Sequence, residues 1–120
     1  MRRFLTLTLA LSLMTGVPAA AFAAGTLDTI RSTGKIKLGY RENTPPFAFV
    51  EDGEAAGYSV DLCKAVAQSI QKQLELDELQ VEWIPVSAEA RMEDVANNKV
   101  DIECGATTNT LSRQEMVDFS

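Results

Sequence analysis

Short apolar strands separated by helical patterns constrain this chain more than any other feature. Alternation of polar and apolar residues predicts strands at Lys35–Tyr40, Val81–Val86 and Lys99–Cys104. After the first of these strands, apolar residues at three- and four-residue spacing predict a long helix that begins with Ser59 as its N-cap. Strands that alternate with helices predict an α/β fold, an open sheet with right-handed crossovers and helices on both faces.

Weaker patterns fill the remaining chain. The paired prolines predict that Arg41–Pro46 is irregular. Residues Val117–Ser120 are expected to begin a further strand. The other expected elements are a helix from the N-cap Thr26 to Gly34, a strand at Phe47–Val50, a turn at Glu51–Glu54, a helix at Glu89–Ala96 capped by Ser87, and a short helix capped by Ser112.

Three polar loops follow the main strands, at Arg41–Pro46, Ser87–Arg91 and Gly105–Thr110. In open sheets of this kind, ligands bind beyond the carboxyl ends of the strands. The loops carry two arginines, hydroxyl groups and backbone N–H groups, which are the groups that hold a carboxylate. The simpler interpretation is that the arginines form surface ion pairs and the threonine-rich segment is an ordinary polar turn.

The N-terminus has the pattern of a targeting segment. Arg2 and Arg3 precede an apolar run, Phe4–Met14, whose 11 residues are too few to span a bilayer. Small residues at Ala21 and Ala23 suit signal peptidase, so residues 1–23 are predicted to be a signal peptide, with cleavage near Ala23. A membrane anchor is the alternative, and the short run with its cleavage site argues against it. We expect an exported product, residues 24–120, without direct membrane insertion after cleavage.

The charge of the chain bears on its partners. The whole chain has a formal net charge of −6, and loss of residues 1–23 removes two arginines and no acid, which gives −8. Such an acidic surface argues against nucleic acid or anionic lipid as a partner. It does not exclude an anionic small molecule, because arginines can make one pocket locally positive.

The chain contains two cysteines, Cys63 and Cys104, and no histidine. In an exported protein two cysteines favour a disulfide, and two buried free thiols are the alternative. Without histidine, a zinc site or a Ser-His catalytic pair is not expected. We therefore predict no metal, no cofactor and no catalytic residues.

Several motifs together carry a resemblance to a known family. Gly39–Phe47, Gly57–Leu62, Ser87–Arg91 and Gly105–Thr108 occur in the order found in extracellular solute-binding family 3, the amino-acid receptors of ABC importers. Leu111–Arg113 and Val117–Ser120 resemble the stretch that leads to the hinge of those proteins. The resemblance implies a periplasmic-binding-protein type II fold. Residues 24–120 would be the N-terminal part of lobe 1, with the second lobe absent.

The resemblance also implies roles for individual residues. Arg91 would bind the ligand α-carboxylate, assisted by Ser87 and by backbone and hydroxyl groups of Ala106, Thr107 and Thr108. Arg41 resembles the arginine of glutamate/aspartate receptors that meets the side-chain carboxylate. Ala88 and Ala106 stand where the receptors of this family often have serines whose hydroxyl groups contact the ligand. Because these hydroxyl groups are missing, a polar neutral amino acid remains an alternative ligand.

By this resemblance the chain is a monomeric, non-catalytic periplasmic receptor that passes an amino acid to an ABC permease. Two other functions stay open. One is a periplasmic enzyme on the same scaffold, like cyclohexadienyl dehydratase, and the other is the sensor lobe of a membrane receptor. Family members close two lobes on the ligand, so residues 24–120 alone are expected to bind weakly at best.

Overall fold

The computed structural model describes residues 25–120, and the predicted signal peptide lies outside the described residues. The described helices are α1 (Thr26–Thr33), α2 (Tyr58–Gln73), α3 (Arg91–Ala96) and α4 (Leu111–Gln114). The described strands are β1 (Lys35–Tyr40), β2 (Asn43–Thr44), β3 (Ala48–Glu51), β4 (Glu54–Ala56), β5 (Gln80–Pro85) and β6 (Ile102–Cys104). Within this range, no helix is both long enough and apolar enough to cross a bilayer.

A three-stranded parallel sheet in the order β5-β1-β6 organises the domain. Strand β1 pairs with β5 along its whole length, and Tyr40 at its end lies opposite Pro85. On its other side Tyr40 lies opposite Cys104, the last residue of β6. The three strands therefore end at the same level, and the loops that follow them leave the sheet side by side.

The core lies on the face of this sheet that α1 and α2 cover. Side chains of both helices pack with alternate residues of β1 and β6, and the fully or nearly buried set comprises Ile30, Ile36, Leu38, Cys63, Ala67 and Cys104. Gly39 points to the opposite face, where a Cβ atom would lie 3.1 Å from Val86 and 3.2 Å from Val100. Both faces of the central strand are therefore packed, as expected for a parallel sheet.

Cys63 of α2 and Cys104 of β6 are joined by a disulfide, with Cα atoms 6.1 Å apart. The bond closes a loop between residues separated by 41 positions. It links the helix layer to the sheet at the residue directly before the threonine-rich loop.

A second, antiparallel sheet corrects the expectation of a wholly irregular segment after β1. Asn43 and Thr44 pair with Phe49 and Ala48, and β3 pairs with β4 through the expected turn. The prolines Pro45 and Pro46 form the reversal between β2 and β3, where missing N–H donors cost no ladder bonds. Paired prolines exclude a long strand, but they allow this two-residue one.

Several predicted helix caps are wrong. Gly25 occupies the N-cap of α1 and Ala90 that of α3, in place of Thr26 and Ser87. Helix α2 begins at Tyr58 after Gly57, because the hydroxyl of the expected cap Ser59 bonds to another loop instead. Thr110 caps α4 by accepting the N–H of Arg113, so Ser112 lies inside that helix.

Two strand predictions also change. The predicted strand Lys99–Cys104 shortens to Ile102–Cys104, because the N–H groups of Lys99 and Val100 bond to the carbonyl of Asp94. These bonds form a turn at the end of α3. The first hydrogen bond of this segment to β1 comes only after that turn. Within the described chain, Val117–Ser120 forms no strand.

We predict that Gly57→Ala destabilises the protein by about 3 kcal/mol. Gly57 has φ of 121°, and an added Cβ would lie 2.4 Å from the carbonyl oxygen of Phe47. Chemical denaturation of the complete protein measures the loss. Gly53→Ala is the matched control, because Gly53 also has positive φ but open space around it. That variant should lose only about 1 kcal/mol, and equal losses would contradict the steric argument.

The double variant Cys63→Ala/Cys104→Ala should lose about 4 kcal/mol of unfolding free energy, because its unfolded chain is no longer cross-linked. Denaturation of the unsubstituted protein with and without a thiol reductant is the control, since reduction opens the bond and keeps both side chains. If reduction left the unfolding midpoint unchanged, the disulfide would not be a stabilising link.

Candidate functional site

The candidate site lies at the carboxyl edge of the parallel sheet, where three loops leave together. Arg41 follows the end of β1, and Gly105 follows the end of β6. The N–H of Val86 donates to the carbonyl of Tyr40 at 2.9 Å. This bond holds the start of the loop Ser87–Arg91 beside the loop that begins at Arg41. The sequence argument that these loops share one edge is therefore supported by the register of the strands.

Arg41 is half-buried at this edge. Its Nη2 atom donates to Oδ1 of Asn43 at 3.3 Å, so the short strand β2 helps to orient the guanidinium group. Each ion pair found in residues 25–120 uses a lysine as its cation. Arg41 therefore keeps hydrogen-bond donors that are not paired with any described carboxylate. This differs from the surface ion pair that the simpler interpretation predicts.

Arg91 is the first residue of α3 and is also half-buried. Its Nη1 atom donates to the carbonyl of Ala88, which bends the side chain back over the preceding turn. Its Nε atom is buried and has no hydrogen-bond partner within the described residues. A buried donor without a partner costs free energy, and such atoms are frequent where a ligand or water completes the site.

Ser87 shapes the turn that carries Arg91. Its hydroxyl oxygen accepts the N–H of Ala90 at 3.1 Å, and its side chain is exposed. A backbone N–H and then the Ser87 hydroxyl lower the pKa of the exposed Glu89 carboxyl group, with Arg41 and Arg91 as smaller causes. Both arginines therefore favour the ionised form of this carboxyl group.

The loop Gly105–Thr110 is held at both ends. The hydroxyl of Ser59 donates to the carbonyl of Gly105 at 3.1 Å, one residue after the disulfide. At the other end, Nη1 of Arg113 donates to the carbonyl of Thr108 at 2.7 Å. Within residues 25–120, the N–H groups of Ala106, Thr107 and Thr108 donate no backbone hydrogen bond. The loop therefore presents free donors on a fixed backbone.

Glu103 joins the site from the sheet itself. Burial raises the pKa of its carboxyl group, and the opposing influences are the Thr107 hydroxyl, Arg91, Arg41 and Arg113, in that order. Its Oε1 atom is buried without a described partner. Glu103 is not among the site residues predicted from the sequence, and its position one residue before Cys104 was the available signal.

The aromatic candidates separate into two environments. Tyr40 is 6% exposed and meets Trp83 edge to face, with ring centroids 5.9 Å apart. Both rings belong to the core beneath the small sheet, which leaves Tyr40 away from solvent. Phe47 is 41% exposed, unlike the buried Tyr40.

Two shallow depressions of about 210 and 400 Å³ lie away from the candidate site, against α2, β5 and the β3–β4 turn. Neither is lined by Arg41, Arg91 or the threonine-rich loop. A single wall with free donors suits a ligand that a second surface covers.

Comparison with known proteins identifies the class of this domain. Residues 36–120 match the family model of bacterial extracellular solute-binding proteins, family 3. The chain belongs to this family. A solved structure of an ancestral amino acid-binding protein, described as a precursor of cyclohexadienyl dehydratase, superposes with a TM-score of 0.70 at 31% identity. The superposition covers 81% of this chain and 40% of that one, and the predicted partial type II lobe 1 fold is confirmed.

Two curated relatives share one kind of ligand in their names. An L-glutamate/L-aspartate-binding protein of Pseudomonas aeruginosa is 46% identical over 98 residues, which are 80% of this chain and 32% of the relative. A glutamate/aspartate import solute-binding protein of Escherichia coli is 37% identical over 125 residues, covering all of this chain and 41% of the relative. The chain thus spans between about a third and two-fifths of the length of these relatives.

We predict that Ser59→Ala costs about 1 kcal/mol of unfolding free energy and also weakens ligand binding, because the loop at Gly105 loses its bond to α2. Ser69→Ala in the same helix is the control, since Ser69 is exposed. Denaturation and ligand titration of both variants decide the point. A Ser59→Ala protein with unchanged stability and affinity would contradict the anchoring role.

Proposed function

We propose that this chain is the amino-acid-recognising part of a periplasmic receptor that delivers its ligand to an ABC permease. Glutamate or aspartate is the preferred ligand, and another polar amino acid is the remaining choice. The observation that carries the proposal is the pair Arg41 and Arg91, half-buried at one sheet edge and free of ion pairs within the described chain. The receptor works as a monomer and needs no cofactor.

Each arginine has a separate part in this proposal. Arg91 binds the α-carboxylate, because a guanidinium group can donate two parallel hydrogen bonds and thereby fix orientation as well as charge. The free N–H groups of the loop at Ala106–Thr108 add donors to the same carboxylate. Arg41 binds the side-chain carboxylate. Two cations on one wall favour a dicarboxylate over a ligand with a single carboxylate.

Support for the acidic ligand comes from the relatives, whose names specify glutamate and aspartate. Alanines at positions 88 and 106 offer no side-chain hydroxyl, so affinity at this wall depends on the guanidinium groups and the backbone. We expect the group that holds the ligand ammonium to come from the part of the relatives' length that this chain does not span. Closure of two lobes would then bury the ligand.

Export completes the proposal. Residues 1–23 act as a signal peptide, and cleavage near Ala23 releases residues 24–120 into the periplasm. N-terminal sequencing of the exported protein tests this step, and an N-terminus at Met1 would contradict it.

An enzyme is the second candidate, favoured by the likeness to a precursor of cyclohexadienyl dehydratase and by the buried acid Glu103. Such an enzyme needs a positioned acid or base. A direct assay decides between the two functions: a receptor leaves a cyclohexadienyl acid unchanged, and turnover by the complete protein would establish the enzyme.

We predict that Arg91→Ala in the complete protein weakens every amino-acid ligand by about 100-fold, since a charged hydrogen-bond pair is lost. Arg41→Ala should weaken glutamate and aspartate by a similar factor and spare ligands with one carboxylate. A thermal-shift screen followed by calorimetric titration measures both effects. Arg31→Ala is the control, because Arg31 is an exposed cation of α1 outside this edge. Intact glutamate binding in Arg41→Ala would remove the dicarboxylate assignment.

A further prediction concerns the isolated segment. Residues 24–120 should bind glutamate weakly at best, because we expect a second lobe to cover the ligand on the side opposite this edge. Calorimetry on this segment with its disulfide formed gives the measurement. Micromolar affinity would show that a single wall suffices.

A further inference from the structure

We propose that Glu103 is a specificity-determining residue of this site, whose carboxyl group takes up a proton when an acidic amino acid binds. The inference deepens the proposed function and rests on it.

The strand register places Glu103 at the ligand edge. Glu103 pairs with Gly39 of β1, so both residues point to the sheet face opposite the disulfide and the main core. A Cβ atom on Gly105 would lie 2.3 Å from Oε1 of Glu103 and 3.2 Å from its carboxyl carbon. The carboxyl group therefore lies directly against the backbone of the threonine-rich loop, in space that the glycine leaves open.

Three buried side-chain atoms have no partner within the described residues, namely Oε1 of Glu103, Nε of Arg91 and Oδ2 of Asp94. Two are acceptors and one is a donor, so the ligand-free protein holds unsatisfied groups of both kinds. Unpaired groups of this kind are costly in a purely structural position. They fit a site whose hydrogen bonds and protons rearrange when a ligand arrives.

The groups around Glu103 make its charge sensitive to a ligand. The cations that act on it are Arg41 after β1, Arg91 on α3 and Arg113 on α4, and the Thr107 hydroxyl comes from the adjacent loop. The exposed Glu89 is under the influence of two of the same arginines. Asp94 of α3 pairs with Lys99 through Oδ1, while its Oδ2 atom is buried without a described partner, and Asp101 accepts the N–H of Lys37.

The direction of proton movement follows from these charges. Burial already raises the pKa of Glu103 in the ligand-free protein. Ligand carboxylates that bind the arginines add negative charge nearby and withdraw the cations that favour ionised Glu103, so its pKa rises further. Binding then transfers a proton from solvent to Glu103, and the carboxylate that would repel the ligand becomes neutral. Affinity for a dicarboxylate therefore increases as pH falls through the interval between the two pKa values.

Calorimetric titration of the complete protein with L-glutamate at equal pH, in two buffers that differ in ionisation enthalpy and contain no small anion, tests this inference. The difference in binding heat between the buffers counts the protons taken up. Above the ordinary pKa range of a carboxyl group we expect uptake of up to one proton, with affinity changing by at most about tenfold per pH unit. L-Glutamine, which lacks the second carboxylate, should cause less uptake in the same protein, and this comparison needs no variant.

The variant Glu103→Gln keeps the shape of the side chain and removes its charge. It should bind glutamate without proton uptake, and at about pH 8 it should bind more tightly than the unsubstituted protein. A merely structural role predicts weaker binding at every pH. Glu89→Gln is the matched control, because Glu89 lies near two of the same arginines but its pKa is lowered, so that variant should retain the proton uptake.

The outcomes separate the two proposals. Glutamate binding without proton uptake, or uptake that persists in Glu103→Gln, overturns the role of Glu103 and leaves the proposed receptor intact. Absence of binding by any acidic amino acid overturns both. If Glu103→Gln does not fold, glutamate binding without proton uptake by the unsubstituted protein still overturns the role of Glu103, and uptake that is lost in Glu103→Asp supports it.

Discussion

The parallel pairing of β1 with both β5 and β6 is the constraint on which the rest of this domain depends. Because Tyr40 is opposite Pro85 on one side and Cys104 on the other, the three strands end at one level. Every proposed ligand group lies within a few residues of that level. A change of register on either side of β1 would separate the arginines from the threonine-rich loop, whatever the local structure of each segment.

The core and the site are connected through the same few links. The disulfide ends at Cys104, and the next residue, Gly105, accepts the hydroxyl of Ser59. Ser59 lies one turn before Cys63 on α2. The N-terminal end of this helix therefore holds the loop through two links, the hydrogen bond of Ser59 and the disulfide of Cys63. Packing of α2 on the sheet thus positions the loop backbone, and a preorganised backbone spends less free energy on ordering when a ligand binds.

Electrostatics at this edge differ from those of the chain as a whole. The chain is acidic, with a formal net charge of −6, while Arg41, Arg91 and Arg113 all favour the ionised form of one half-buried acid, Glu103. A locally positive wall in an acidic protein favours small anions and disfavours polyanions. An ionised Glu103 would offset part of the positive charge of these arginines.

Sequence patterns by themselves determined the α/β class, the main strands and helix α2, and the placement of Arg41, Arg91 and Thr107 after strand ends. These features follow from periodicity and from the rule that ligands bind beyond the carboxyl ends of strands. Tertiary structure decided that the two cysteines form a disulfide and do not remain free thiols. It also decided which residue begins each helix, and that Glu103 lies against Gly105. Ser59 shows the reason: a serine before a helical pattern suits an N-cap, yet its hydroxyl bonds to a loop 46 positions away. Such bonds depend on distant segments meeting at one sheet edge, and no local propensity contains that information.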